Sequence, residues 1–149
     1  MSSEAAAKQG SFHHIIPGQI AEIESLTEAL RGWSERHGIP ARTVNSIILM
    51  LDELLTNVVM HGYGDYGDHD SGEIEVTVLP ITNGVEVIIR DSAPAFDPFS
   101  IAEPDTTLDI DERDIGGLGV HFVRKMADSF AYRRDGDFNE VHFSKSFPS

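Results

Sequence analysis

Asp52-Glu-Leu-Leu-Thr-Asn-Val-Val-Met-His-Gly-Tyr63 decides how the rest of the chain is read. Glu53, Asn57 and His61 recur at every fourth position. At about 3.6 residues per turn they line one stripe of a helix. Val44, Ile47, Ile48, Leu51, Leu54, Leu55, Val58 and Val59 make the rest of that helix apolar. A polar stripe on so apolar a helix either faces water or holds a carboxylate, a carboxamide and an imidazole in line for chemistry. Sequence further along the chain decides between the two.

Pro40 starts this helix and Gly62 ends it, so it spans 40–61. Upstream, Ile20, Ile23, Leu26, Leu30 and Trp33 repeat at helical spacing over 19–37, with Gly38 as the C-terminal cap. Residues 11–17 read as an edge strand closed by Pro17, and 1–10 as a loose polar tail before a single domain over 11–149. After a Gly, Asp and His loop over 63–72, two strands alternate: Ile74, Val76 and Val78, then Val85, Val87 and Ile89. Thr82-Asn83-Gly84 turns between them. Residues 91–115 have no period, carry three prolines and many acids, and suit a lid or binding loop. A third helix follows over 116–128, then strands over 129–134 and 139–147 joined at Asp135-Gly136-Asp137. The order β, α, α, β, β, loop, α, β, β predicts an α+β fold: a two-layer sandwich, a mixed sheet with its helices on one face. Trp33 and Phe122 sit at core spacing.

The composition narrows the function. A chain of 149 residues with 40% hydrophobic content can bury one ordinary core. A formal charge of -14 argues against nonspecific binding to nucleic acid or to anionic membranes. With no cysteine there is no disulfide and no zinc–thiolate site. No run approaches the roughly 18 apolar residues of a membrane span, which makes the cytoplasm the expected address.

Three segments have a chemical use. In Glu53-x-x-x-Asn57, an amide oxygen is a hard ligand suited to magnesium, and a carboxylate one turn earlier can accept a proton from an attacking hydroxyl. Asp91-Ser-Ala-Pro-Ala-Phe-Asp97-Pro follows the second alternating strand, so Asp91 can accept a hydrogen bond from an exocyclic amine; it is also a common loop pattern. Asp114-Ile-Gly116-Gly117-Leu-Gly119-Val stands at a loop-to-helix junction, where glycines and free amides favour phosphate. Glycines before a helix are ordinary turn chemistry as well. No Gly-Lys-Ser/Thr follows, so this is not a Walker loop.

In this order and spacing the segments resemble the N, G1 and G2 boxes of the gyrase/histidine-kinase-type ATPases. With Ala95-Phe-Asp-Pro98 and Gly116-Gly-Leu-Gly-Val-His-Phe-Val-Arg-Lys125, the chain is similar to the stand-alone anti-sigma-factor serine kinases of bacteria. The resemblance implies ATP and Mg2+ as cofactors, Asn57 as the magnesium ligand and Glu53 as general base. It implies that Asp91, with Ala93 and Phe96 in the same box, serves adenine, and that His61 lies near the α-phosphate. It places Gly116, Gly117, Leu118, Gly119 and Val120 at the phosphates and makes 99–115 the ATP lid. Ala93 stands where the family usually has a glycine, Asn139-Glu140 where a threonine often assists adenine, and Ile115 where an arginine is often seen. The implied function is phosphorylation of a STAS-type anti-sigma-factor antagonist by a homodimer joined near the first helix and Phe12, with a sigma factor as second partner. The alternative is a module that binds ATP and sequesters a partner without phosphoryl transfer.

Overall fold

Period-two burial in the two central hairpin strands builds one sheet in the computed structural model, which describes residues 10–63, 72–100 and 122–148. Its strands are β1 (Phe12–Pro17), β2 (Glu73–Ile81), β3 (Gly84–Asp91), β4 (Ser129–Asp135) and β5 (Phe138–Ser146), in the order β1-β2-β3-β5-β4. Every pair is antiparallel, which corrects the mixed sheet expected from the element order. The long connection after β3 does lead to a strand, β4, that runs in the same direction as β3. β5 then folds back between the two, so they never pair. Asn83, at φ 59°, turns the chain between β2 and β3, and Gly136, also at φ 59°, between β4 and β5.

The helices α1 (Ile23–Arg36) and α2 (Ala41–Asn57) cover one face of the sheet. Gly38 adopts φ 67° just past α1, the left-handed exit that a helix C-terminus favours. Leu26, Leu30 and Trp33 of α1 and Met50, Leu51 and Leu55 of α2 share one core with Val76, Val87, Ile89 and Phe143. Ala41–Gly62 has the length and mean hydropathy, 1.4, of a membrane span, but half of it is buried in this core. Phe12 belongs to the core too, against His14 and Trp33. Phe122, expected inside, is exposed.

The outer face carries a charged row that fixes the register of the β3–β5–β4 end. Glu140 lies opposite both Arg90 and Arg133 and accepts hydrogen bonds from each at 2.8 Å. Burial opposes its ionisation, yet His142, Arg133 and Arg90 together hold its carboxyl down to about 2. The next pair along this ladder is Asp91 and Asn139. The same register therefore brings an acid from one strand end against an amide from another.

Candidate active site

α2 does not stop at Asn57. It widens into a π turn over Val58–Gly62, closed by the Tyr63 amide on the Val58 carbonyl at 3.0 Å. Such turns inside helices often mark functional sites. The Tyr63 hydroxyl donates to the Glu73 carbonyl at 2.9 Å and accepts from the Ser92 amide at 2.8 Å. It thereby ties the helix end to the start of β2 and the exit of β3.

Between this helix end and the turn after β3 lies a narrow, partly open cleft with a volume of about 30 Å3 accessible to the centre of a water molecule. Leu54, Val58, Ile89, Phe96 and Val141 give it apolar walls, and Asn57, Asp91 and Asn139 converge on it as polar groups. A flat heterocycle matches walls of this kind. Phe96, at the edge of the cleft, is exposed.

Asp91 is 4% exposed. Its Oδ1 accepts from the Ala93 amide at 3.0 Å and from Asn139 Nδ2 at 2.9 Å. Among the described residues Oδ2 accepts none. Burial pushes this carboxyl up, while the Asn139 and Ala93 hydrogen bonds and the Arg134 charge pull it back. The result is a fixed carboxylate with one edge committed and one edge open.

Asn57 is also buried, lines the cleft and makes no side-chain hydrogen bond among the described residues; its Nδ2 is fully buried without a partner. Among the described residues only the Trp33 indole and the Thr43 hydroxyl share this condition, and of the three only Asn57 lines the cleft. Its oxygen is the kind of donor magnesium takes, and turning the amide over exchanges O for N at either position. The residues present fit the metal that the sequence implies. Glu53 lies one turn before Asn57 on α2, partly buried and outside the cleft lining. Desolvation first, and the neighbouring Asp52 second, push its carboxyl above the ordinary value.

His61 lies within the π turn and is exposed, with its ring 6.2 Å from that of Phe96, which lines the cleft. Gly116, Gly117, Leu118, Gly119 and Val120, with most of the expected lid, lie outside the described residues.

The alanine at position 93 is accommodated from the other side. A Cβ on Gly62 would stand 2.7 Å from the Ala93 Cβ, so the two backbones meet with a single methyl between them. Gly62→Ala is expected to cost roughly 1–3 kcal/mol of stability by overpacking and to weaken nucleotide binding. The double variant Gly62→Ala/Ala93→Gly should recover both, because it returns one methyl to the same space. Melting curves and calorimetric titration check this, and additive losses in the double variant would refute the contact.

Sequence reasoning left three contributors unassigned. Asn139 was known only as a departure from a threonine, and Tyr132 and Arg134 carried no signal. Asn139 bonds Asp91 directly, Tyr132 bonds Asn139, and Arg134 bonds the Ala93 carbonyl.

Residues 16–145 match the histidine kinase-like ATPase domain. The serine/threonine-protein kinase BtrW of Bordetella bronchiseptica is 30% identical over 68% of this chain and 69% of its own length. The serine-protein kinase RsbW of Listeria monocytogenes is 27% identical over 76% of this chain and 73% of its own. Among solved structures, the RsbU and RsbW domains of a Mycobacterium tuberculosis protein superpose with a TM-score of 0.61. That match is at 12% identity, over 92% of this chain and 32% of the other, and shows the fold. The chain belongs to the histidine kinase-like ATPase family, among the relatives of RsbW and BtrW.

Proposed function

We propose that this chain is an ATP-dependent protein serine/threonine kinase and anti-sigma factor. Its acceptor would be a STAS-type anti-sigma-factor antagonist, and its second partner a sigma factor. It would act in the cytoplasm as a homodimer. The observation that carries the reading is the pairing, in one apolar cleft, of a buried acid with an open edge and a buried carboxamide with nothing to bond. The first suits an adenine amine and the second a magnesium ion between phosphates. The names of BtrW and RsbW support serine as the acceptor.

Each residue then has a task. Asp91 would accept from the exocyclic amine, while Leu54, Ile89 and Val141 exclude water from the ring. Asn57 would hold magnesium, whose charge offsets that of the phosphates in a strongly acidic protein. Glu53, held above its ordinary pKa, would take the proton of the acceptor hydroxyl. Phosphoryl transfer asks mainly for positioning and charge stabilisation, and this inventory suffices.

One observation favours the binding-module alternative: Glu53 stands outside the cleft lining. The test is to incubate the protein, γ-labelled ATP and magnesium with STAS-domain proteins encoded beside it. Label on a serine or threonine of such a partner is the expected result. A complex that forms in ATP but stays unlabelled would give the function to the alternative.

A further inference from the structure

Asn139 is saturated at both ends of its carboxamide. Nδ2 donates to Asp91 Oδ1 at 2.9 Å and reaches the Ala93 and Pro94 carbonyls, each at 3.1 Å. Oδ1 accepts from the Tyr132 hydroxyl at 2.6 Å, the Phe96 amide at 3.2 Å and Arg134 at 3.3 Å. Arg134 donates in turn to the Ala93 carbonyl at 2.9 Å. The β4–β5 hairpin thus holds the turn from Asp91 to Phe96 mainly through Asn139, with Arg134 beside it.

The chemistry of that side chain bears on recognition as well as on order. Ala93, Pro94 and Asp91 all line the cleft. The two carbonyls are acceptors that could compete with Asp91 for a base's amine, or bind a different base edge. Asn139 Nδ2, with its two N–H groups, is shared among these two carbonyls and Asp91 Oδ1, and Arg134 adds a donor to the Ala93 carbonyl. A threonine has one donor and could not do all of this.

We propose that Asn139 is a positioning residue for base selection: it blanks the competing acceptors of the turn and leaves Asp91 Oδ2 as the acceptor presented to an exocyclic amine. The proposal rests on the reading of Asp91 as the base-recognising acid. It assigns the preference for an aminopurine to the β4–β5 hairpin as well as to Asp91.

The test couples the side chain to the amine. Dissociation constants are measured in excess magnesium for ATP and for purine riboside triphosphate, which has hydrogen in place of the amine. The wild type is expected to prefer ATP by about 10–100-fold. In Asn139→Ala the preference should fall below about 3-fold, mostly through weaker ATP binding. Asn139→Thr, which keeps one donor for Asp91, should fall between. Equal loss of affinity for both nucleotides in folded Asn139→Ala would overturn the proposal, because a purely structural residue does not distinguish them. If Asn139→Ala does not fold, Asn139→Thr decides: a ratio below the wild type's supports the assignment and an equal ratio overturns it. A wild type with no preference for ATP would instead refute the reading of Asp91 itself.

Discussion

Asn57→Ala is expected to lower the affinity for magnesium–ATP by at least ~100-fold and to leave the fold intact. Supporting groups around a metal typically cost 10–100-fold when removed, and a direct ligand costs at least the upper end of that range. The stability side of the prediction follows from burial. Asn57 keeps a donor out of water without a partner, a liability of about 1–3 kcal/mol that alanine removes, while the smaller side chain leaves a void. The two effects oppose each other, so the melting temperature without nucleotide should stay within about 4 °C of the wild type. With EDTA in place of magnesium the two proteins should bind ATP equally weakly. Equal affinity in magnesium would remove Asn57 from the metal site, and a collapse in melting temperature would make it a structural residue.

What the sequence made legible was local, and what it hid was not. The alternation in β2 and β3, the Gly38 cap and the apolar spacing of α1 depend on neighbours a few residues apart, and the structure reproduces them. A stripe through Glu53, Asn57 and His61 assumes constant pitch; the π turn at Val58–Gly62 changes that pitch, because a backbone bond moves by one residue and nothing in the side-chain pattern records it. Asn139 was visible as an odd residue but not as a partner of Asp91, 48 positions away. Their meeting depends on β5 inserting between β3 and β4, the same event that made the sheet wholly antiparallel. Ala93 likewise looked like a departure until Gly62 appeared opposite it. A short contiguous run such as Asp91 to Phe96 is readable by itself; the contacts that set its geometry join runs from different strands.

Glu53→Gln is expected to reduce phosphoryl transfer by two to four orders of magnitude while ATP binding and partner capture stay near normal. A general base is typically worth about 10²–10⁴ in rate, and glutamine keeps the size and hydrogen-bonding reach while removing the basicity. The environment of Glu53 adds a second signature. Desolvation and the charge of Asp52 raise its carboxyl above the ordinary value in the folded state. A group raised on folding favours the fold while it is protonated, at pH below its unfolded value, and that contribution is lost as pH rises through the raised value. At neutral pH the ionised Glu53 therefore works against the fold, and glutamine removes the burden. Glu53→Gln should be at least as stable as the wild type at pH 7, with the difference closing as pH falls below about 4, near the ordinary glutamate value. Wild-type transfer should climb with pH through the raised value and level off, and the variant should lose that limb. Loss of transfer without loss of stability is the mark of a side chain kept for its reaction. A variant that transfers at the wild-type rate would show that Glu53 is not the base. A variant that transfers poorly but has also lost its ATP or its stability would place Glu53 among the residues that hold α2 in position.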